Sequence, residues 1–355
     1  MPSTATLNDV AQAAGVTHIT VSRAFSGKGA VAIATRERIF KAAKRVGYRP
    51  NTAARAMRSG RTGFIGMIRS PLIQHAVHTP QFDAGLDEEL NEKGLCLVRD
   101  IIDESSLAEN DASKAKPSLP RIVSENAVDG LLINYAFGTP PAVREALDRF
   151  GVPAIWINRK RSENCVYHND LGAAIEATSE LVSHGHRNIA YIREPSHAAS
   201  SASGETHYSA GDREDGFART MRAAGLAARV EDMPMNPTDD ASKIDHLLQA
   251  YITYLRSPDR PTAVLCQRGG RVMRMAAAVC GLSVPGDLSI MTFDEDAPAD
   301  QDIAVDRLLT RGRAMGGAAV HEVCALIEGG EPSRTAVAIP LEFHRVGTVG
   351  VPSSP

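Results

Sequence analysis

No stretch of this sequence approaches the roughly 18 consecutive apolar residues that a membrane-spanning helix requires, and no apolar run follows a basic start at the N-terminus. The expectation is an unsecreted, cytoplasmic chain with no membrane partner. Cysteine is scarce too: Cys96, Cys165, Cys266, Cys280 and Cys324 are odd in number, widely separated and never in a Cys-x-x-Cys arrangement. That spacing indicates neither a disulfide framework nor a zinc site, and all five are expected to be small buried hydrophobes. Aromatics make up only 5% of residues, yet hydrophobic residues reach 43%, enough for a substantial core. A Gly-x-x-x-x-Gly-Lys phosphate loop and a Gly-x-Ser-x-Gly nucleophile motif are both missing, and no metal or cofactor is expected.

What is present is a strong asymmetry. At 355 residues the chain is too long for one core, which points to a small module plus a larger domain of two lobes. Residues 1–62 hold 11 Lys and Arg against 2 Asp and Glu, whereas the remainder holds 28 against 40. A head of charge +9 on a body of charge −12 suggests that the head meets a polyanion and the body does not.

The head reads as short helices. Thr6 and Asp9 form a cap pattern, Leu7, Val10, Ala11 and Ala14 recur at helical spacing, and Gly15 ends the helix. After the Gly15-Val16 turn, Thr17 can cap a second helix through about Phe25, the plan of a helix-turn-helix. Its outward side chains, His18, Ile19, Ser22 and Arg23, are types that touch base edges or phosphates, and Arg23 suits a bidentate contact to guanine. The bland alternative is a solvated helix face. A third helix is predicted from about Thr35 to Val46, with Gly47 as its C-cap. Asn51 can then cap a two-turn, Ala-rich helix carrying Arg55, Arg58 and Arg61 but almost no core of its own. Such a helix is expected to order only against DNA and a second copy, with Met57 as an apolar wedge for a minor-groove step. The alternative is a flexible linker.

From Phe64 the pattern changes to apolar runs, among them 64–68, 95–98, 130–133, 153–157, 189–192, 263–266 and 288–293. Helical patterns fall between them, at 82–93, 142–150, 173–184, 212–224 and 242–255. This alternation predicts parallel sheets covered by helices on both faces, in two similar lobes, with residues 158–169 as a polar crossing between them. Ligands in such folds sit beyond the carboxyl ends of strands, so the cleft between lobes is the expected site, with 196–205 as a flap beside it. His184 and His186 read as a helix-to-strand turn, not metal ligands, because no cysteine or carboxylate cluster accompanies them.

The stretch from Leu7 to Gly66 resembles the N-terminus of the LacI/GalR family of bacterial repressors, through Asp9-Val10-Ala11, Ala14-Gly15-Val16, Thr20-Val21-Ser22-Arg23, Thr35-Arg36-Glu37-Arg38-Ile39 and Gly47-Tyr48-Arg49-Pro50-Asn51. The body resembles the family's periplasmic-binding-protein-like core through residues 184–190, 207–213 with Gly216-Phe217, 261–264, and 284–290 leading to Phe293-Asp294. The resemblance implies an all-α helix-turn-helix head (1–50), a hinge helix and linker (51–62) and an α/β core of two parallel-sheet lobes (63–355). It implies DNA contacts from Thr17, His18, Ile19, Thr20, Ser22 and Arg23, then from Asn51, Ala54, Arg55, Met57 and Arg58. Met57 stands where the family usually has a leucine lever. Arg213 and Asp294 are implied as effector contacts, an interlobe ion pair being the alternative for each. Gln267-Arg268-Gly269-Gly270 replaces an Asn-Asp pair common in the family, which adds Arg268 to the expected pocket and suits a phosphorylated or carboxylated ligand better than a neutral sugar.

The function expected is that of a homodimeric repressor on a pseudo-palindromic duplex operator, controlled by a small-molecule effector. A solute-binding receptor suits the body but not the basic head. An enzyme fused to such a head would need a paired acid and base or an activated nucleophile, and none is identifiable.

Overall fold

The computed structural model describes residues 5–26, 29–49, 60–69, 77, 79–101, 121–125, 127–135, 139, 141–193, 206–233, 240–294, 304–329 and 336–353. The expected hinge helix over 51–59 and the expected flap over 196–205 lie outside them. The chain divides into two compact units, Met1–Gly63 and Phe64–Pro355.

The first unit holds three helices, α1 (Leu7–Ala14), α2 (His18–Ser26) and α3 (Ile33–Val46). The Thr6 hydroxyl accepts from the Asp9 amide, and the Asp9 carboxylate accepts in return from the Thr6 amide at 2.7 Å, a reciprocal capping box. Gly15 (φ 62°) and Gly47 (φ 69°) end α1 and α3 in the left-handed conformation that glycine adopts without strain. α3 starts two residues before the sequence expectation; its N-cap, Ala32, offers no side-chain hydrogen bond, so no cap residue marked the start. Val10, Ala11, Ala14, Val21, Ala24, Ile39, Ala42 and Ala43 form a small closed core.

The second unit is a pair of six-stranded sheets. Its elements run β1 (Phe64–Arg69), α4 (Pro80–Glu92), β2 (Cys96–Ile101), α5 (Arg121–Ser124), β3 (Gly130–Asn134), α6 (Pro141–Phe150), β4 (Ala154–Ile157) and β5 (Cys165–His168). Then come α7 (Asp170–Ser183), β6 (Ile189–Arg193), α8 (Tyr208–Ala223), β7 (Arg229–Asp232), α9 (Asp240–Leu255), β8 (Ala263–Cys266), α10 (Gly270–Val279), β9 (Ser289–Asp294) and β10 (Asp306–Leu309). α11 (Gly312–Ile327), β11 (Val337–Ile339) and β12 (Glu342–His344) complete the order. The first sheet is β11-β5-β4-β3-β1-β2 and the second β12-β10-β9-β8-β6-β7. Each winds in the same doubly-wound sense, and every pair is parallel except β10 with β12.

Central strands are buried on both faces, as parallel sheets with helices above and below require: all five residues of β3 and all four of β8 are buried. Phe82, Leu86 and Leu90 of α4 pack with Met315, Ala319, Val320 and Val323 of α11 over one face of the first sheet. Ala174, Ala177 and Leu181 of α7 pack with Phe217 and Met221 of α8 under the second.

Three expectations need correction. Residues 158–169 are not only a crossing, since they contain β5, which pairs with β4 and β11 inside the first sheet. The chain also crosses back late: α11 packs with the first-sheet core and leads to β11 in that sheet before β12 returns to the second. The cysteines are not all buried, because Cys96 opens the edge strand β2 and is exposed, and Cys280 is half-buried.

Candidate nucleic-acid interface and ligand cleft

α2 starts where the α1 cap leaves it. The Thr17 hydroxyl accepts from the Thr20 amide at 3.3 Å and lies 2.9 Å from the Thr20 hydroxyl, which fixes the first turn. Val21 and Ala24 point into the core, so Thr17, His18, Ile19 and Arg23 are left on the exposed side, with Thr20 and Ser22 half-buried at its margins. Ile19 is 53% exposed, an apolar side chain offered to solvent on a basic module, which suits contact with a thymine methyl. Phe25 holds α2 to α3 through Phe40 and Tyr48, with ring centroids 5.1 and 5.4 Å away. Asn51, Ala54, Arg55, Met57 and Arg58 lie outside the described residues.

In the body, the ends of β4 and β5 meet the start of α8. Asn158 and His168 follow or close strands of the first sheet; His207, Tyr208 and Arg213 belong to α8 and its cap, which pack on the second. The Tyr208 hydroxyl accepts from the His168 amide at 2.9 Å and lies 3.2 Å from Asn158 Oδ1 and 3.3 Å from the His168 carbonyl. His207 Nε2 donates to the Asn158 carbonyl at 2.9 Å, so its Nδ1 is the acceptor that meets Ser209 Oγ at 2.7 Å. Lys160 and Asp212 form an ion pair at 2.7 Å beside them.

Arg213 is the centre of this arrangement. Its Nε donates to Asp170 Oδ1 at 2.6 Å, its NH1 to the Gln267 carbonyl at 3.4 Å, and its guanidinium stacks 4.3 Å from the Phe293 ring centroid. Burial works against the charge of Arg213, and the Asp170 carboxylate together with Tyr191 and Tyr208 more than offsets it. Desolvation pushes His168 and His207 down to about 4, so both are neutral near pH 7. His168 Nε2 and the Tyr191 hydroxyl are buried without a hydrogen-bond partner, and the charges of Arg213 and Asp170 act on both.

The structure brings Arg213 together with Asp170, not with Asp294. Asp294, half-buried at the end of β9, has Arg307 at 3.8 Å. Arg268 is exposed just beyond β8, and Gly269 takes φ +75° as the cap of α10. A Cβ on Gly270 would lie 2.6 Å from Thr292, so the second glycine lets α10 press on β9. His186 is a buried staple: Nδ1 meets Thr262 Oγ1 at 2.9 Å and Nε2 the Gly350 carbonyl at 2.9 Å. Among the described residues no group of three or more potential ligands could hold a metal ion. Sequence reading missed Asn158, His168, Asp170, Tyr191, His207 and Tyr208. Asp170 carried a signal, as an acid directly after the Asn169 cap, but its burial is set by the tertiary pairing with Arg213.

Comparison with known proteins fits this pairing of modules. Residues 6–51 match the family described as bacterial regulatory proteins, lacI family, and residues 178–344 match the periplasmic binding protein-like domain. The chain is a LacI-family transcriptional regulator. It is 28% identical over 301 residues to the HTH-type transcriptional regulator AglR of Rhizobium meliloti, covering 82% of this chain and 78% of that protein. To the regulator RafR of Escherichia coli it is 25% identical over 361 residues, covering 98% and 99%. The Lac repressor dimer bound to operator and the anti-inducer ONPF shares the fold of this LacI-family chain, with a TM-score of 0.69 at 21% identity over 98% of this chain and 100% of that one. No helix among the described residues of this regulator is long and apolar enough to cross a membrane.

Proposed function

We propose that this LacI-family chain is a cytoplasmic repressor that binds a pseudo-palindromic duplex operator as a homodimer and has its operator affinity set by a small-molecule effector held between the lobes. The observation that carries the reading is the exposed row of His18, Ile19 and Arg23 on α2 of a head with charge +9, joined to a two-sheet body with a buried arginine at its cleft. Residues 1–50 serve as the DNA-binding domain, 51–62 as hinge and linker, and 63–355 as the effector and dimerisation domain. Thr17, His18, Ile19, Thr20, Ser22 and Arg23 read the major groove, while Asn51, Ala54, Arg55, Met57 and Arg58 form the hinge contacts that enter the minor groove.

The cleft acts as a sensor without turnover. A ligand that touches both Asn158–His168 and the start of α8 has a different affinity for the open and closed lobe arrangements, and only that difference shifts the population. Asp170 already neutralises Arg213, and Arg268 adds a second cation close enough to His207 for its charge to act on it. A phosphorylated or carboxylated sugar-sized metabolite follows, with Arg213, Arg268 and Asp294 as contacts. Selecting bound DNA from a random pool, then screening metabolites for those that change affinity, tests the reading. Recovery of one inverted-repeat sequence and an anionic effector supports it; tight calorimetric binding of an uncharged sugar, unaffected by Arg268→Ala, overturns the ligand class.

A further inference from the structure

α3 is more basic than a scaffold helix needs to be. Its 14 residues carry Arg36, Arg38, Lys41, Lys44 and Arg45 against the single carboxylate of Glu37. At 3.6 residues per turn, Arg38, Lys41 and Arg45 share one flank of the helix and Lys44 lies at its edge, one turn on from Phe40, which meets Phe25 of α2. The cationic flank borders α1, whose Ala13 lies beside it.

There it borders an open concavity of about 410 Å³ lined by Ala13, Arg38, Lys41, Ala42, Lys44 and Arg45. Two alanines make a low floor and four cations make the walls. Arg45 is fixed at the rim by donating to the Ala13 carbonyl at 3.0 Å. Arg38, Lys41 and Lys44 are exposed and form no ion pair among the described residues. No buried polar side chain closes the bottom, so the groove is not built to enclose a small anion. It is instead an open cationic strip about 10 Å long, the rise over the seven steps from Arg38 to Arg45. Duplex DNA presents one phosphate about every 1.7 Å of axis, a charge density such a strip matches without base contacts.

We propose that the α1–α3 groove is a second, sequence-independent binding surface for duplex DNA, gripping the backbone of a segment other than the one read by α2. This goes beyond the operator reading: a head occupied through α2 still offers a cationic face to a neighbouring duplex, so one bound regulator holds two DNA segments together.

The test uses the full chain on an immobilised operator duplex, washed and then offered a labelled duplex that lacks the operator. The parent is expected to retain the second duplex at low salt. In Arg38→Gln/Lys41→Gln/Lys44→Gln, capture falls about tenfold or more, and the slope of log affinity against log salt for capture drops by about 2.7, three lost contacts at about 0.9 each. Operator affinity changes less than about twofold, because none of the three lies on α2. Several results overturn the proposal: no capture by operator-bound parent, undiminished capture by the variant, or an equal loss of operator affinity, which places these cations in the operator interface. A changed sedimentation mass of the variant with capture intact also overturns it, since the groove then holds another copy's acidic body. Failure of the parent to bind the operator in the first step sinks the reading of α2 instead and is seen before the second duplex is added.

Discussion

Arg213 and Asp170 are 11% and 2% exposed, so each is a buried charge that depends on the other. Arg213→Ala leaves the Asp170 carboxylate uncompensated and is expected to cost about 3–5 kcal/mol in denaturant unfolding, whereas the exposed pair of Arg219 and Asp215 is screened by solvent and contributes little. A loss below about 1 kcal/mol shows that water or a ligand group already shields the carboxylate. The cleft histidines set a pH dependence. His168 sits near 4 when folded against an ordinary 6.5, so between those values the unfolded chain binds more protons. Its contribution is whole above about pH 6.5, falls as pH drops towards 4 and levels off below, at most about 3 kcal/mol. His168→Gln is expected to flatten the midpoint-versus-pH curve in that window; an unchanged curve contradicts the burial assigned to this ring. On the head, Arg23→Ala is expected to weaken operator binding by about 1–3 kcal/mol and relax one base position, read by binding to single-base operator variants.

At the scale of elements, the closest packing is α4 against α11. A Cβ on Gly85 would overlap the Arg313 carbonyl, and one on Gly316 would overlap the Phe82 carbonyl. Gly85→Ala is therefore expected to push the helices apart and cost about 1–3 kcal/mol in thermal or denaturant unfolding, while Gly225→Ala, at φ +70° in an open turn, strains only the backbone. This also shows why α11 was not legible in the sequence. Its first half is dominated by Gly312, Gly316, Gly317 and small alanines, because there the helix presses backbone against α4, and only Met315, Val320 and Val323 supply larger buried side chains. Long apolar runs such as those of β1, β3, β8 and β9 were legible because strands covered on both faces need no alternation. β5, β7, β11 and β12 were not: each has three or four residues, and Arg229-Val230-Glu231-Asp232 or Glu342-Phe343-His344 reads as a polar loop until its neighbour strand is in place. The segment after β12 has a structural role. Buried Asp306 accepts from the amides of Val346, Gly347 and Val349 at 2.6–3.1 Å, strapping the C-terminal segment to the second sheet.

At the scale of the molecule, charge is divided between the two modules, with the excess of cations on the head and the excess of acids on the body. The helix-turn-helix was readable because capping residues, turn glycines and apolar spacing all lie between Thr6 and Gly47. The cleft was readable only in part, since Asn158, His168, Asp170 and Tyr208 converge from segments up to 50 residues apart and owe their burial to the crossing of the two sheets. Association of a basic module with a duplex releases counterions, so affinity should fall linearly as salt rises on logarithmic axes. The decisive measurement is equilibrium binding of the full chain to its selected operator and to a scrambled duplex across a salt series. The account predicts a steep salt slope for both and a preference for the operator of about a thousandfold or more at physiological salt. Equal affinity for the two duplexes, or affinity that does not respond to salt, would contradict it.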